Sequence, residues 1–105
     1  MIKLMNMRVT KPTKQYDIRV DRASILGNPF VLDNENDRND VCNKYDAYFL
    51  KKIKNNNINF ISELNRIVRM HNYHGKVRLF CWCTPKRCHA DIIKKWLENE
   101  IKKCS

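Results

Sequence analysis

The segment Lys76 to Cys83 does most to limit what this chain can become. Val77, Leu79 and Cys81 alternate with Phe80 and Trp82, so a strand here is apolar on both faces near its end. Such a strand needs cover above and below, which places it at the centre of a sheet. The short loop Thr84 to Arg87 then leads to a run with Ala90, Ile92, Ile93, Trp96, Leu97 and Ile101 at helical spacing, starting about His89. Strand, tight loop and helix form half of a βαβ unit, the building block of parallel sheets.

The rest of the chain supplies the partners such a strand requires. Ile2 and Leu4, with Met7 and Val9, and then Tyr16, Ile18 and Val20 alternate in two short stretches separated by Lys11-Pro12-Thr13-Lys14, and two strands are expected. Val41, Tyr45, Tyr48 and Phe49 recur at helical spacing after an Asp-rich start, predicting a helix from about Arg38 to Lys54 that ends at Asn55-Asn56-Asn57. Phe60, Ile61, Leu64, Ile67 and Val68 predict a second helix, with Asn59 as its N-cap, Gly75 at its close, and the two helices paired against the sheet. At 105 residues the chain is long enough for one core, so a single α/β domain over 1–105 is expected: a short, mostly parallel sheet packed with about three helices.

Charge and cysteine usage narrow the partners. Lys and Arg exceed Asp and Glu by a net +10, which favours polyanions, phosphorylated small molecules or acidic surfaces. Much of that excess, at Lys51, Lys52, Lys54, Lys94, Lys95, Lys102 and Lys103, falls on solvated helix faces near helix C-termini. No apolar run approaches the roughly 20 residues that span a bilayer, and Met1 to Met5 is too short and broken for a signal peptide, so no membrane partner and a cytoplasmic location are expected. Five cysteines, three of them crowded between Cys81 and Cys88, do not form a disulfide framework, and reduced thiols are expected.

Ligands of open α/β sheets bind beyond the carboxyl ends of the strands, where the next helix presents unpaired N–H groups. Cys83 ends the strand there, and Cys88 and His89 open the helix, a setting that lowers a thiol pKa, with Lys86 and Arg87 acting in the same sense. A thiolate from Cys83 or Cys88, with His89 or Asp91 as proton partner, is one reading of the cluster. Zinc or iron held by Cys83, Cys88 and His89 is another, although Cys81 and Cys83 lie about 6.6 Å apart by strand rise and Cys88 and His89 are adjacent. Buried cysteines acting as small apolar side chains are a third. Trp82 and Trp96 are expected in the core. A second strand end carries Arg22 and Ser24 beside the rigid turn Gly27-Asn28-Pro29, where Gly27 is free to take positive φ; with Arg38 this loop forms the opposite wall of a crevice.

The block from Arg22 to Phe30, then Arg38 and Tyr45, then Gly75-Lys76, Cys81-Trp82-Cys83, Pro85 and Cys88-His89-Ala90-Asp91 together resemble DUF4326, a family of small proteins from bacteria, phages and other viruses to which no activity is assigned. The Cys-His element is also similar to one in the DUF488 family, which implies a Rossmann-like arrangement. The DUF4326 pattern usually has glycine before the arginine, where this chain has Asp21, an acid placed to neutralise Arg22. The function expected from residues and resemblance is binding of a nucleotide or similar phosphorylated molecule between Arg22, Ser24, Gly27, Asn28 and Arg38 on one side and Cys83, Cys88, His89 and Asp91 on the other, with chemistry through a thiolate. The alternatives are a non-catalytic nucleic-acid or host-protein binding viral factor, and the metal-binding domain.

Overall fold

The computed structural model describes residues 1–103; Cys104 lies outside the described residues. The elements run β1 (Ile2–Asn6), β2 (Asp17–Arg19), α1 (Arg38–Lys54), α2 (Ile58–His74), β3 (Val77–Cys81) and α3 (His89–Lys103), with a 3-10 turn at Glu35–Asp37 leading into α1. The sheet is wholly parallel and ordered β1-β3-β2, so the doubly apolar strand is central, as its composition requires.

Register decides what each face carries. Ile2 pairs with Val77, and Leu4 and Ile18 flank Leu79, so these side chains point to one side with Cys81. That face meets Tyr45 and Phe49 of α1, Phe60, Leu64 and Ile67 of α2, and Ala90, Ile93 and Leu97 of α3 in one core. Each fully buried Leu, Ile or Phe contributes about 1.5–3 kcal/mol there. The helices α2 and α3 lie against β3, and α1 packs on both of them.

The second face carries charge. Asp17 of β2 and Arg78 of β3 form a two-bond ion pair (Nε–Oδ1 2.6 Å, Nη2–Oδ2 2.7 Å), and the guanidinium lies 5.3 Å from the centroid of the buried Phe80 ring. Because β1 and β2 flank β3 in parallel, the residues between them must return across this face, the side the helices leave open.

Local details differ from the sequence expectations at three elements. The strand expected to continue through Val9 stops at Asn6, because Val9 and Thr10 N–H groups both donate to the Asn6 carbonyl (3.0 Å each) and the Arg8 N–H donates to Asn6 Oδ1 (2.8 Å). Val9 is consequently 84% exposed. Helix α2 is capped by Asn57 and not by Asn59, since the Phe60 N–H donates to Asn57 Oδ1 at 3.1 Å. Gly75 closes that helix at φ 76°, a left-handed C-cap that favours glycine. Trp82, expected in the core, follows the last strand residue and is 47% exposed.

Candidate functional site

The segments leaving β2 and β3 and the first turns of α1 enclose a cleft of about 320 Å³ beyond the carboxyl edge of the sheet. Arg19, Asp21, Arg22, Asn28 and Phe30 line it from the β2 side, and Trp82, Cys83, Arg87, Cys88 and His89 from the β3 side. Arg38, Val41 and Cys42 of α1 close the back.

The β2 wall is held by its own backbone. Ser24 N–H donates to the Asp21 carbonyl (2.9 Å), Gly27 N–H to the Ser24 carbonyl (3.0 Å), and Phe30 N–H to Asn28 Oδ1 (2.9 Å). The buried Tyr45 hydroxyl donates to the Leu26 carbonyl at 2.7 Å and ties the loop to α1. Gly27 is required here for close approach and not for positive φ: a Cβ would lie 2.7 Å from Arg22 Cα and nearer still to the Asp21 carbonyl oxygen. Ser24 and Gly27 face an adjoining hollow shared with Arg22, Asn28 and Pro29, outside the main cleft.

Asp21 organises the floor. Only 6% exposed, it accepts hydrogen bonds from Arg19 Nε (3.1 Å) and Nη2, from Trp82 Nε1 (2.9 Å) and from the Ala23 N–H (3.3 Å). Burial raises its pKa, but the Arg19 and Trp82 bonds outweigh that and hold the carboxyl below its ordinary range. The acid expected to neutralise Arg22 is spent on Arg19 and on orienting the indole. Arg22 itself makes one long bond, to the Phe30 carbonyl at 3.5 Å.

Across the cleft, Arg38 donates to both Glu35 oxygens (2.8 and 2.7 Å) and to the Arg87 carbonyl (2.9 Å). The Glu35 bonds and then the Cys83 thiol beside it raise its pKa, so Arg38 stays cationic against the cysteine loop. Arg87 donates to the side-chain oxygens of Asn39 (3.1 Å) and Asn43 (3.0 Å), both neutral. Four arginines therefore line the cleft against one carboxylate, Asp21. Among the described residues, Arg22 and Arg87 pair with no carboxylate.

The Cys-His pair is a buried structural join. His89 Nε2 bonds the Val20 carbonyl, which can only accept, so Nε2 carries the proton. Nδ1 is then the acceptor for the Cys88 thiol at 3.3 Å. Burial pushes the His89 pKa down and keeps this ring neutral. The contact with Cys81, together with burial, pushes the Cys88 thiol up, opposite to the fall expected of a thiol at a helix N-terminus. Asp91 lies outside the cleft: the Cys88 N–H donates to Asp91 Oδ2 at 3.0 Å, the return half of a capping box for α3. Cys83, half-buried in the cleft and beside Arg38, is the better-exposed thiol of this loop.

Of the residues read from the sequence, the fold brings Arg22, Asn28, Arg38, Cys83, Cys88 and His89 to one cleft, sets Ser24 and Gly27 beside it, and turns Asp91 away. Arg19 and Trp82 complete the site without having been foreseen in it, and Asp21, expected against Arg22, serves these two instead. Arg19 lies beside Phe80 in the strand pairing, and its place at the edge of the cleft follows only once that pairing is known. Among the described residues, Cys42, Cys81, Cys83 and Cys88 are free, and no group of three or more His, Cys, Asp and Glu side chains is placed to share a metal ion.

The chain is thus a small parallel α/β domain with an arginine-lined cleft, Trp82 among its lining, at the carboxyl edge of its sheet. The chain belongs to the DUF4326 family, described as a domain of unknown function, whose sequence pattern matches residues 5–99. No curated protein and no solved structure matches it.

Proposed function

We propose that the domain binds a phosphorylated, ring-bearing small molecule of nucleotide type in the cleft between Arg22 and Arg87. The observation that carries this reading is the surplus of guanidinium groups around a half-exposed indole. Guanidinium groups without carboxylate partners favour phosphate oxygens, and an indole fixed by Asp21 offers a flat apolar surface to a base. The volume of about 320 Å³ suits one small ligand.

A chemical step on that ligand would fall to Cys83. Its thiol faces the cleft beside a permanent cation, whereas Cys88 is engaged with Cys81 and His89.

Isothermal titration with nucleoside mono- and diphosphates tests the binding reading directly. Binding is expected to be lost in the Arg22→Ala, Arg87→Ala double variant, which breaks no ion pair. Equal affinity in wild type and double variant, or no heat with any nucleotide, refutes it.

A further inference from the structure

The cleft does not stand alone. Arg22 and Asn28 line both the cleft and the hollow around Ser24, Gly27 and Pro29, while Arg87 lines both the cleft and a third hollow, of about 420 Å³, between α1 and α3. The three depressions are therefore neighbours, the third running down between α1 and α3 as far as Asn99. Arg22 and Arg87, the two arginines without carboxylate partners, are shared with the outer hollows and so stand at the two junctions, and Trp82 lines only the cleft.

This layout exceeds what a mononucleotide can fill. A free nucleotide carries its phosphates at one end, so it satisfies one junction and leaves the other arginine facing water. A single-stranded nucleic acid carries a phosphate on each side of every internal base. One base on the indole then sends its flanking phosphates toward Arg22 and Arg87, and the neighbouring nucleotides enter the outer hollows. Those hollows add no positive charge of their own: apart from Arg87, one sets Lys95 against both Asp46 and Asp91, and Ser24 and Asn28 are neutral in the other. Attraction is thus concentrated at the two junctions, while the chain's net charge of +10 favours approach of a polyanion from any side.

We propose, resting on the anion-binding reading of the cleft, that its ligand is a single-stranded nucleic acid segment, with one base stacked on Trp82 and the adjacent phosphates held by Arg22 and Arg87. Groove plus aromatic platform is the general means of holding a single strand without reading its sequence.

Fluorescence anisotropy with labelled oligothymidylates of about four to eight nucleotides, competed with thymidine monophosphate, tests this. The oligonucleotide is expected to bind at least about tenfold more tightly than the mononucleotide, since it engages both junctions. For two phosphate contacts the slope of log K against log salt should be about −1.4, and Arg22→Ala should reduce it by about 0.7. Trp82→Ala should weaken binding about tenfold, whereas Trp82→Phe, which keeps a ring, should retain most of it. Equal affinity for mononucleotide and oligonucleotide, or a salt slope unchanged by Arg22→Ala, overturns the strand proposal and leaves the small-ligand reading standing. Failure of both ligands to bind overturns the two together.

Discussion

Replacing Asp17 by Asn should destabilise the domain by an amount that depends on pH in a calculable way. Asp17 is the acceptor for Arg78 through two bonds and for the backbone N–H groups of Thr13 (2.8 Å) and Lys14 (2.9 Å), and its side chain is fully buried. Burial alone would raise its pKa, but the Arg78 bond and the two backbone donors win and bring it from 3.8 to about 2. A folded pKa below the unfolded one means that the ionised carboxylate stabilises the fold above the unfolded value, and that this stability is lost as pH falls through the folded value. At pH 7 the difference is worth about 2.4 kcal/mol. At pH 3 about half remains, because the folded carboxylate is still ionised while the unfolded one is mostly protonated. Urea unfolding of wild type and Asp17→Asn should therefore show a stability gap that narrows by about 1 kcal/mol between pH 7 and pH 3. A gap that stays constant over that range refutes the argument, since it would mean that Asn replaces the carboxylate in shape and that the charge on Asp17 contributes nothing. In an Arg78→Met background the pH-dependent part should shrink, leaving the share supplied by the two backbone donors.

Tyr45→Phe should cost about 1–3 kcal/mol in thermal or urea unfolding, because it leaves the buried Leu26 carbonyl without its donor; an unchanged midpoint would show that another donor reaches that carbonyl. Gly27→Ala should destabilise by more than about 1 kcal/mol, since the added methyl meets backbone and not a movable side chain, and unaltered stability would place the loop further from Asp21 than described. Iodoacetamide on the native protein should label Cys83 well before Cys81 or Cys88, with a bound nucleotide protecting it; peptide mapping that finds Cys88 modified first removes Cys83 from any chemical role.

Much of this arrangement was readable from residue order, and the limit has a physical cause. The central strand, the span of α1 from Arg38 to Lys54, the start of α3 at His89 and the left-handed Gly75 each follow from a local signal: two-sided apolarity, helical period, or the residue type a turn needs. The convergence of the Arg22 loop with the Cys83 loop follows from the rule that strand ends of a parallel sheet share one edge. What a side chain does at that edge depends on strand pairing and burial, which local signals do not contain. Trp82 looked like core because it continues the strand's alternation, yet the strand ends one residue earlier and the indole turns toward Asp21. Cys88 looked activated because it opens a helix, yet at that point the helix end is plugged by Asp91 and the thiol is sealed against Cys81.

Asp21 is where the fold and the proposed function meet. A glycine at this position would leave Trp82 Nε1 and Arg19 without their shared acceptor. With aspartate, the strand end carries a buried carboxylate whose cost is offset by one guanidinium and two neutral donors. The outcome is an indole held in a fixed orientation and an Arg22 left uncompensated next to it. Asp21→Gly should consequently release Trp82 with its ring intact, raising indole mobility in time-resolved fluorescence while weakening nucleotide binding. Removing a negative charge beside a phosphate would otherwise tighten binding, so the sign of the change separates the two roles: weaker binding means that Asp21 serves the platform, and tighter binding means that it serves only to balance Arg19.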